Sequence, residues 1–289
     1  PYSEKDFPRC RQTNVEMQGG VWGSLKCTTT MDQLNKSLLQ DEELTYKYKG
    51  DDSITIGVLG MIDDTLSISK CGNTIVKKNA VINSFVENQR LTLSHDKSLS
   101  IHVGRKQKCR QPCPKLKVHK GDMKEVSSTK YLGDIIANSG GVKESIEDRR
   151  NKGWGKIADI TGIVSEFLDQ FKVEICLNMQ EAKLCNDMLF STEAWSSITN
   201  SEMHRLEQVD LALIRNFMNG HAKCSKVFHH LEFGLLSFRH LITIRRLKFH
   251  HHILTRGDEE LIKKVYEKQK NTHIKGDWYR TLLTDFEFI

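Results

Sequence analysis

The pattern of apolar and polar residues predicts a β-hairpin close to residue 60. Segments 54–62 and 65–69 are rich in β-branched residues, and the second alternates apolar side chains with hydroxyl side chains. This period of two predicts a strand with one buried face. Because only Asp63 and Asp64 separate the two segments, and Asp tolerates turn dihedrals, we predict a tight hairpin turn at this pair.

The residues after this hairpin predict a helix and then more strands. Apolar side chains on one face indicate a helix from about Thr74 to Arg90, with Asn73 placed to cap it. Alternation then predicts a strand within 90–104, which carries Lys97. Short β-prone runs predict two further strands, at 114–119 and 130–136. Together these segments predict an antiparallel sheet of at least three strands with packed helices.

Helical periodicity replaces alternation after the Gly-rich turn at 139–141. Apolar spacing predicts helical structure over 142–168, interrupted at Gly153 and Gly155. Residues 228–254 form another long amphipathic stretch with the same period. The second half of the chain is therefore expected to be all-helical.

A capping box supports this interpretation, and the change of pattern sets the expected domains. Thr199 and Glu202 have the spacing of a capping box and predict the start of a helix. We expect an α+β fold with a sheet-bearing domain over 1–138, a helical domain over 139–222 and a helical C-terminal extension over 223–289.

The net charge of +6 is concentrated in two segments. Residues 101–152 hold thirteen Lys and Arg against six Asp and Glu, and residues 221–256 hold seven against one. Such segments are either solvated surface or sites for a polyanion, since phosphate neutralisation dominates the affinity for nucleic acid. Arg149, Arg150 and Lys152 are the side chains that we expect to contact backbone phosphates, with a solvated helix face as the alternative.

Composition also bears on location. No apolar run approaches the roughly 18 residues that a membrane span requires, so we expect no membrane partner. The chain opens without an initiator Met or a signal peptide, which suggests a piece of a longer protein. Its eight Cys are mostly scattered singly, a distribution typical of reduced thiols in an intracellular protein of the cytoplasm or nucleus.

One group of residues raises the question of a zinc site. Cys109 and Cys113 have a spacing compatible with zinc, and His102 and His119 lie near them in sequence. No second Cys or His pair follows at a regular interval. We therefore favour packing thiols and solvated imidazoles over zinc.

The order of these features resembles a known family. Over residues 12–285 the sequence is similar to the palm and thumb of a reverse transcriptase encoded by a non-long-terminal-repeat (LINE-like) retrotransposon. The matching stretches are residues 18–27 for motif B, Met61 to Asp64 for motif C, Lys97 for motif D, and Tyr131, Leu132 and Gly133 for the primer-grip turn of motif E. The resemblance implies a partial polymerase palm followed by a helical thumb and C-terminal extension.

The resemblance also implies a role for each matching residue. Asp63 would be a ligand of catalytic Mg²⁺ (or Mn²⁺), and Asp64 beside it would be the second catalytic carboxylate. Lys97 would lie near the leaving pyrophosphate, and Gln18 and Gly19 would let the backbone approach the template or the incoming nucleotide. Two such ions stabilise the attacking and leaving oxygens of nucleotidyl transfer. The implied partners are an RNA template, a DNA primer and deoxynucleoside triphosphates.

Two departures from the family pattern change the expected activity. Position 61 is Met where the family has an aromatic residue, and no segment before Gln18 matches motif A, whose Asp completes the two-metal site. We therefore expect a fragment of an RNA-directed DNA polymerase that is inactive by itself. The alternative is a non-enzymatic nucleic-acid-binding remnant.

Overall fold

The structure of the chain is a computed structural model that describes residues 21–104, 114–118, 121–196, 198–218 and 225–288. Its mixture of helices with short strands agrees with the expected α+β class. Contacts divide the chain into two compact units, residues 1–126 and residues 127–289. From the sequence we placed the domain boundary at residue 138, whereas this division lies between Val126 and Ser127.

Short strands and two helices form the described part of the first unit. They are α1 (Val21–Leu39), β1 (Tyr46–Lys47), β2 (Thr55–Ile56), β3 (Val58–Met61), β4 (Asp64–Ser67), α2 (Gly72–Asn88), β5 (Leu99–Ser100), β6 (Lys117–Val118), β7 (Gly121–Asp122) and β8 (Lys124–Glu125). Strands β1 and β2, β3 and β4, and β6 and β7 pair antiparallel, whereas β5 and β8 pair parallel. The expected sheet of three or more strands is wrong for the described residues, where strands pair only in twos.

The core of the first unit lies between α1, α2 and β3. Leu34, Leu38, Leu44 and Val58 are buried there, with half-buried side chains of α1 and α2 packed around them. Full burial of each such side chain contributes about 1.5–3 kcal/mol. This packing sets the position of the β3–β4 hairpin on α1.

The predicted helix after the hairpin is confirmed, with different ends. Helix α2 begins two residues earlier than expected, and the thiol of Cys71, not Asn73, accepts from the backbone N–H of Thr74 at its N-terminus. At its C-terminus Arg90 has φ 53° and the N–H of Leu91 donates to the carbonyl of Val86. These bonds match a Schellman cap, which satisfies carbonyls that the helix leaves open.

The predicted strand within 90–104 is mostly wrong. Only Leu99–Ser100 pairs as a strand, because its partner β8 is two residues long. The preceding residues form a turn in which the hydroxyl of Ser98 donates to the carbonyl of Ser94 at 2.7 Å. Lys97 therefore lies in this turn and not in a strand.

The second unit contains one hairpin followed by helices. Its described elements are β9 (Ser128–Tyr131), β10 (Asp134–Ala137), α3 (Lys143–Ser165), α4 (Asp169–Met179), a π-helical turn (Gln180–Cys185), α5 (Asn186–Met188), a 3₁₀ turn (Thr192–Ala194), α6 (Asn200–Met218), α7 (Lys226–Glu232), α8 (Phe238–Leu254), α9 (Leu261–Thr272) and α10 (Trp278–Phe288). The expectation of an all-helical region after residue 138 is confirmed for the described residues.

Helix α3 runs unbroken through both glycines that were expected to interrupt it. A Cβ at Gly153 would overlap the sulfur of Met188 and lie 2.7 Å from a methyl group of Val209. Gly153 therefore permits the close approach of α3 to α5 and α6. The core around this crossing includes Ile160, Leu206 and other fully buried side chains.

Of two sequence signals in the later helices, the capping box is found in the structure and the long amphipathic stretch is divided between two helices. The capping box is confirmed, since the hydroxyl of Thr199 accepts from the N–H of Glu202 and the carboxylate of Glu202 accepts from the N–H of Thr199. The stretch 228–254 is not one helix, because α7 ends before Gly234 (φ 62°) and α8 starts at Phe238.

The π-helical turn between α4 and α5 positions a buried polar side chain. Gln180 in this turn donates to the carboxylate of Asp210 on α6 at 2.5 Å, and the ring of His230 contacts the other oxygen at 2.9 Å. Burial raises the pKa of Asp210.

Within the described ranges, no helix combines the length and the apolar character needed to cross a membrane.

Candidate nucleic-acid interface

The β3–β4 hairpin, residues 58–67, is here called the first hairpin. Met61 pairs with Asp64, so the two turn residues are Ile62 and Asp63, and Asp64 is the first residue of β4. The predicted hairpin is confirmed, but its turn lies one residue earlier than expected. Both carboxylates are exposed at the tip, one in the turn and the next in the strand.

The backbone at this tip is strained. Ile62 has φ 56° although its side chain is β-branched, and the side chain is 42% exposed. A β-branched residue rarely adopts a positive φ, because its Cβ approaches the neighbouring carbonyl oxygen. Such a conformation persists where the surrounding structure fixes it.

Helix α1 holds the first hairpin through two hydrogen bonds. The thiol of Cys27 donates to the carbonyl of Ile62 at 3.1 Å, and the side chain of Asn35 accepts from the N–H of Val58 at 3.1 Å. Burial raises the pKa of the Cys27 thiol, and the negative charge of Asp63 raises it further. Asp63 is therefore close enough to α1 for its charge to act on Cys27.

A buried lysine holds the base of the first hairpin. The ammonium group of Lys78 on α2 donates to the carbonyl of Gly57 at 2.7 Å and to the carbonyl of Ile68 at 2.9 Å. These carbonyls lie just before β3 and just after β4, so Lys78 ties the two ends of the hairpin together. The side chain is fully buried, and burial lowers its pKa to about 8.

The fit of the first hairpin to magnesium is incomplete. Asp63 and Asp64 provide the hard carboxylate oxygens that Mg²⁺ prefers. Within the described part of the chain, however, no group of three or more His, Cys, Asp or Glu side chains is arranged to hold a metal ion. Two exposed carboxylates do not by themselves form a two-metal site, and no catalytic step is derived through one.

The other residues matched to polymerase motifs in the first unit have separate positions. Lys97 is exposed in the turn that precedes β5. Gln18 and Gly19 lie outside the described residues, as do Cys109 and Cys113 of the zinc alternative.

The β9–β10 hairpin, residues 128–137, is here called the second hairpin. Tyr131 pairs with Asp134, so Leu132 and Gly133 form its two-residue turn. Both have positive φ, 48° and 87°, which is the pattern of a type I′ turn. Leu132 is 43% exposed and Tyr131 is half-buried.

Side chains of the same unit hold this second tip in place. Arg149 donates to the carbonyl of Gly133 at 2.9 Å, and Trp195 donates through Nε1 to the carboxylate of Asp134 at 2.7 Å. A Cβ at Gly133 would lie 2.9 Å from the ring of Phe190. The guanidinium of Arg149 lies 5.2 Å from the centre of this ring.

The three cations expected to contact phosphates differ in their surroundings. Arg149 is only 5% exposed, and its guanidinium is engaged by the carbonyls of Gly133 and Asp187. Arg150 is half-buried and pairs with Glu147. Lys152 is also half-buried and pairs with Asp148. The structure therefore gives Arg149 a role in fixing the second hairpin and leaves Lys152 nearer the surface.

Sequence reasoning missed two lysines that lie in or next to these hairpins. Lys78 lies three residues after Ile75 and four before Ile82, so its position on the apolar face of α2 was a usable signal for burial. The other is Lys130 on β9, whose pKa is lowered mainly by Lys152 on α3. No local pattern indicates that these two lysines affect each other, because 22 positions separate them in the sequence.

Comparisons with known proteins add no identification. A scan of the chain against protein-family models gave no match, and searches of curated proteins and of solved structures gave none either. The resemblance to reverse transcriptases therefore rests on the residues of the chain itself and stays a prediction.

Proposed function

We propose that this chain is part of an RNA-directed DNA polymerase of the non-long-terminal-repeat retrotransposon type, with palm-derived strands and helices followed by a helical thumb and C-terminal extension. The first hairpin is the observation that supports this most. It exposes Asp63 and Asp64 at a two-residue turn whose backbone is fixed by α1. Carboxylates at a rigid turn suit the binding of a divalent ion beside a growing nucleic-acid end.

The described residues supply only part of the chemistry. Nucleotidyl transfer requires Mg²⁺ or Mn²⁺ at both reacting oxygens, and the described residues supply the two carboxylates of the first hairpin. A further carboxylate, expected in motif A, would complete the site. The RNA template, the DNA primer and the deoxynucleoside triphosphates are the substrates of this proposal.

Primer extension tests the catalytic part of the proposal. We expect no extension of an RNA- or DNA-templated primer by the purified chain with Mg²⁺ or Mn²⁺, because the two-metal site is incomplete. Processive extension that Asp63→Asn abolishes would contradict this expectation. The sequence of the 5′ end of the transcript separates the two functions: an upstream Asp-bearing strand supports the polymerase, and a true start at this chain supports a binding remnant.

A non-enzymatic nucleic-acid-binding protein is the second candidate function. It is supported by the cations next to the second hairpin, among them Lys130 and Lys152. Titration of the chain with an RNA–DNA hybrid, followed by fluorescence anisotropy at several salt concentrations, tests binding under either function. Affinity should fall steeply as salt rises. Absence of binding even at low salt would refute it.

A further inference from the structure

Helix α7 is held in the second unit by a buried polar side chain. Its apolar residues Val227, Phe228 and Leu231 are 59%, 56% and 77% exposed, whereas His230 is 8% exposed. The helix also carries Glu232, which is exposed, and Lys226 and His229, whose side chains lie outside the described part of the chain. A helix of seven residues is unstable by itself in water, so α7 depends on its packing against α6. Among the described side chains of α7, the imidazole of His230 makes the buried contact.

This imidazole contacts a fully buried carboxylate. Nε2 of His230 lies 2.9 Å from Oδ2 of Asp210 on α6, and the amide of Gln180 donates to Oδ1 at 2.5 Å. Asp210 is 0% exposed. A carboxylate removed from water is costly unless a cation and hydrogen bonds compensate it. His230 is the cationic partner that the described residues give to Asp210.

The other ionisable groups around this carboxylate are mostly acidic. Glu207, one helical turn earlier on α6, is 5% exposed, and its charge acts on Asp210. Burial, together with the charge of Asp210, raises the pKa of the Cys185 thiol in the π-helical turn to about 12. The charge of Glu181 acts on this thiol in the same direction, and that of Arg245 on α8 in the opposite one. Loss of the charge on His230 would therefore leave Asp210 in acidic surroundings.

One proton makes the buried pair of Asp210 and His230 neutral, whether it lies on the imidazole or on the carboxyl group. Its removal leaves a buried negative charge beside Glu207, compensated by the amide of Gln180 and a neutral imidazole. When α7 is detached from α6, His230 is in water and loses its proton near its ordinary pKa of about 6.5. The docked helix thus keeps a proton that the detached helix has lost, so docking weakens as the pH rises above this value.

The connections of α7 allow it to detach while its neighbours stay in place. Gly234, directly after the last turn of α7, has φ 62°. Phe238, the first residue of α8, is fully buried in the core of the second unit. A short glycine-containing segment therefore separates α7 from a firmly packed helix.

We propose that the contact between Asp210 and His230 is a pH-sensitive switch, in which one shared proton holds α7 on α6 and loss of that proton releases α7. Gln180 is a positioning residue in this switch, because its amide fixes the carboxylate within the π-helical turn's reach. The switch belongs to the second unit alone. It does not depend on nucleic-acid binding or on polymerase ancestry, so its test is independent of theirs.

Hydrogen exchange of the full chain between pH 6 and pH 9 tests the switch. The amides of Gly234 and Leu235 donate to the carbonyls of Leu231 and His230 and report on the end of α7. After correction for the effect of pH on intrinsic exchange, their opening constant should rise about tenfold over this range, as for a shift of one pKa unit. An opening constant that stays flat, or that rises equally for the core amides of α3, would overturn the proposal.

Matched variants assign the effect to the pair. His230→Gln keeps a side-chain N–H donor but cannot take up a proton, so the opening of α7 should no longer depend on pH. Asp210→Asn removes the charge from the other side of the contact and should have the same effect. His204→Gln, at an exposed position of α6, is the control and should keep the wild-type rise. The full wild-type rise in His230→Gln would refute the role of this imidazole.

The wild-type chain supplies a readout that does not depend on the folding of a variant. The Cε1 proton of His230, followed by NMR, should titrate at a higher pH in the folded chain than in the chain unfolded by urea. Its midpoint should coincide with the rise in the opening constant of α7. Equal midpoints in the folded and unfolded chains would show that Asp210 does not hold the proton on His230, and the proposal would be wrong.

Discussion

The two hairpins have the same length but differ in their turns and in their surroundings: both turn residues of the second have positive φ, whereas Ile62 alone has positive φ in the turn of the first. Each has four-residue strands joined by two residues, and the first turn residue is an exposed aliphatic side chain at positive φ: Ile62 in one and Leu132 in the other. At the second hairpin, Arg149 binds the turn residue Gly133, and Trp195 binds Asp134 next to the turn. At the first hairpin, Cys27 binds the carbonyl of the turn residue Ile62, while both carboxylates remain exposed.

The second hairpin is held by hydrogen bonds at its tip, whereas the first hairpin exposes two charged side chains there. The second hairpin is fixed at its tip, so its exposed groups have set positions on the surface of the helical unit. The first hairpin is fixed at its base by Lys78 and along one side by α1, which leaves Asp63 and Asp64 accessible to a ligand. The two tips therefore differ in which groups they leave exposed: two carboxylates at the first, and the aliphatic side chain of Leu132 at the second.

Removal of the Arg149 guanidinium, which binds the turn of the second hairpin, should have the largest effect on stability. Arg149→Ala is expected to destabilise the helical unit by about 3 kcal/mol, because it leaves the carbonyls of Gly133 and Asp187 without this donor and opens a buried space. Urea unfolding followed by tryptophan fluorescence measures the change. Arg150→Ala is the control, since the half-buried Arg150–Glu147 pair should contribute less than about 1 kcal/mol. Equal effects of the two variants would refute the difference in role.

The lysine at the base of the first hairpin should make stability depend on pH. Burial lowers the folded-state pKa of Lys78 from 10.5 to about 8. Between these values the unfolded chain binds more protons than the folded chain, so stability rises as pH rises from about 8 to 10.5, by up to about 3 kcal/mol. Hydrogen exchange of the β3 and β4 amides, converted to opening free energies, measures this rise.

Lys78→Met isolates that dependence. The variant has no titrating group at this position, so the rise attributable to Lys78 should be absent from the variant and should appear in full as the difference between wild type and variant. A variant that retains the full rise would show that another group causes it, such as Cys71, whose pKa is lowered in the folded state by its hydrogen bond with Thr74.

Replacement of a glycine by alanine should affect the stability of the two hairpins differently, by less than the Arg149 substitution does. Gly133→Ala should destabilise the helical unit by about 2 kcal/mol, because Gly133 has φ 87° and the added methyl group meets Phe190. Gly60→Ala in the first hairpin is the matched change, and there the nearest atom to the new methyl group is 3.9 Å away. Unfolding midpoints of the two variants measure the contrast, and a larger loss from Gly60→Ala would contradict it.

Relief of backbone strain at the two turns should give the smallest change in stability. Asparagine tolerates positive φ better than aliphatic residues, so Ile62→Asn and Leu132→Asn should each stabilise their hairpin by about 1 kcal/mol. We expect the larger gain at Ile62, because its side chain is β-branched. Hydrogen exchange at the paired amides measures both. Destabilisation by either variant would mean that the exposed aliphatic side chain makes packing contacts that outweigh the strain.

Local patterns predicted the parts of the fold that depend on neighbouring residues. The first hairpin, helix α2 and the capping box at Thr199 follow from alternation, helical spacing and a three-residue offset, all readable within short windows. The turn was placed one residue late because Ile62, a residue that ordinarily avoids positive φ, occupies it.

Contacts between distant residues explain the failures. Gly153 was expected to interrupt α3, but the helix needs it to approach Met188, 35 positions later. Alternation within 90–104 predicted a strand, yet only two residues find a partner, in β8. The hydrogen bond between Arg149 and the carbonyl of Gly133 likewise joins two elements that no local pattern connects. Sequence spacing alone contains none of these distances.

The π-helical turn at 180–185 has a consequence for how chain length can vary. Deletion of one residue there would restore α-helical bonding and leave the following residues close to their present orientation, because the wider turn accommodates one extra residue. Met188 and Leu189 would then remain in the core that they now fill. A deletion in the regular part of α3 would instead rotate the following residues by about 100°, so we expect this turn to tolerate a lost residue better than α3 does.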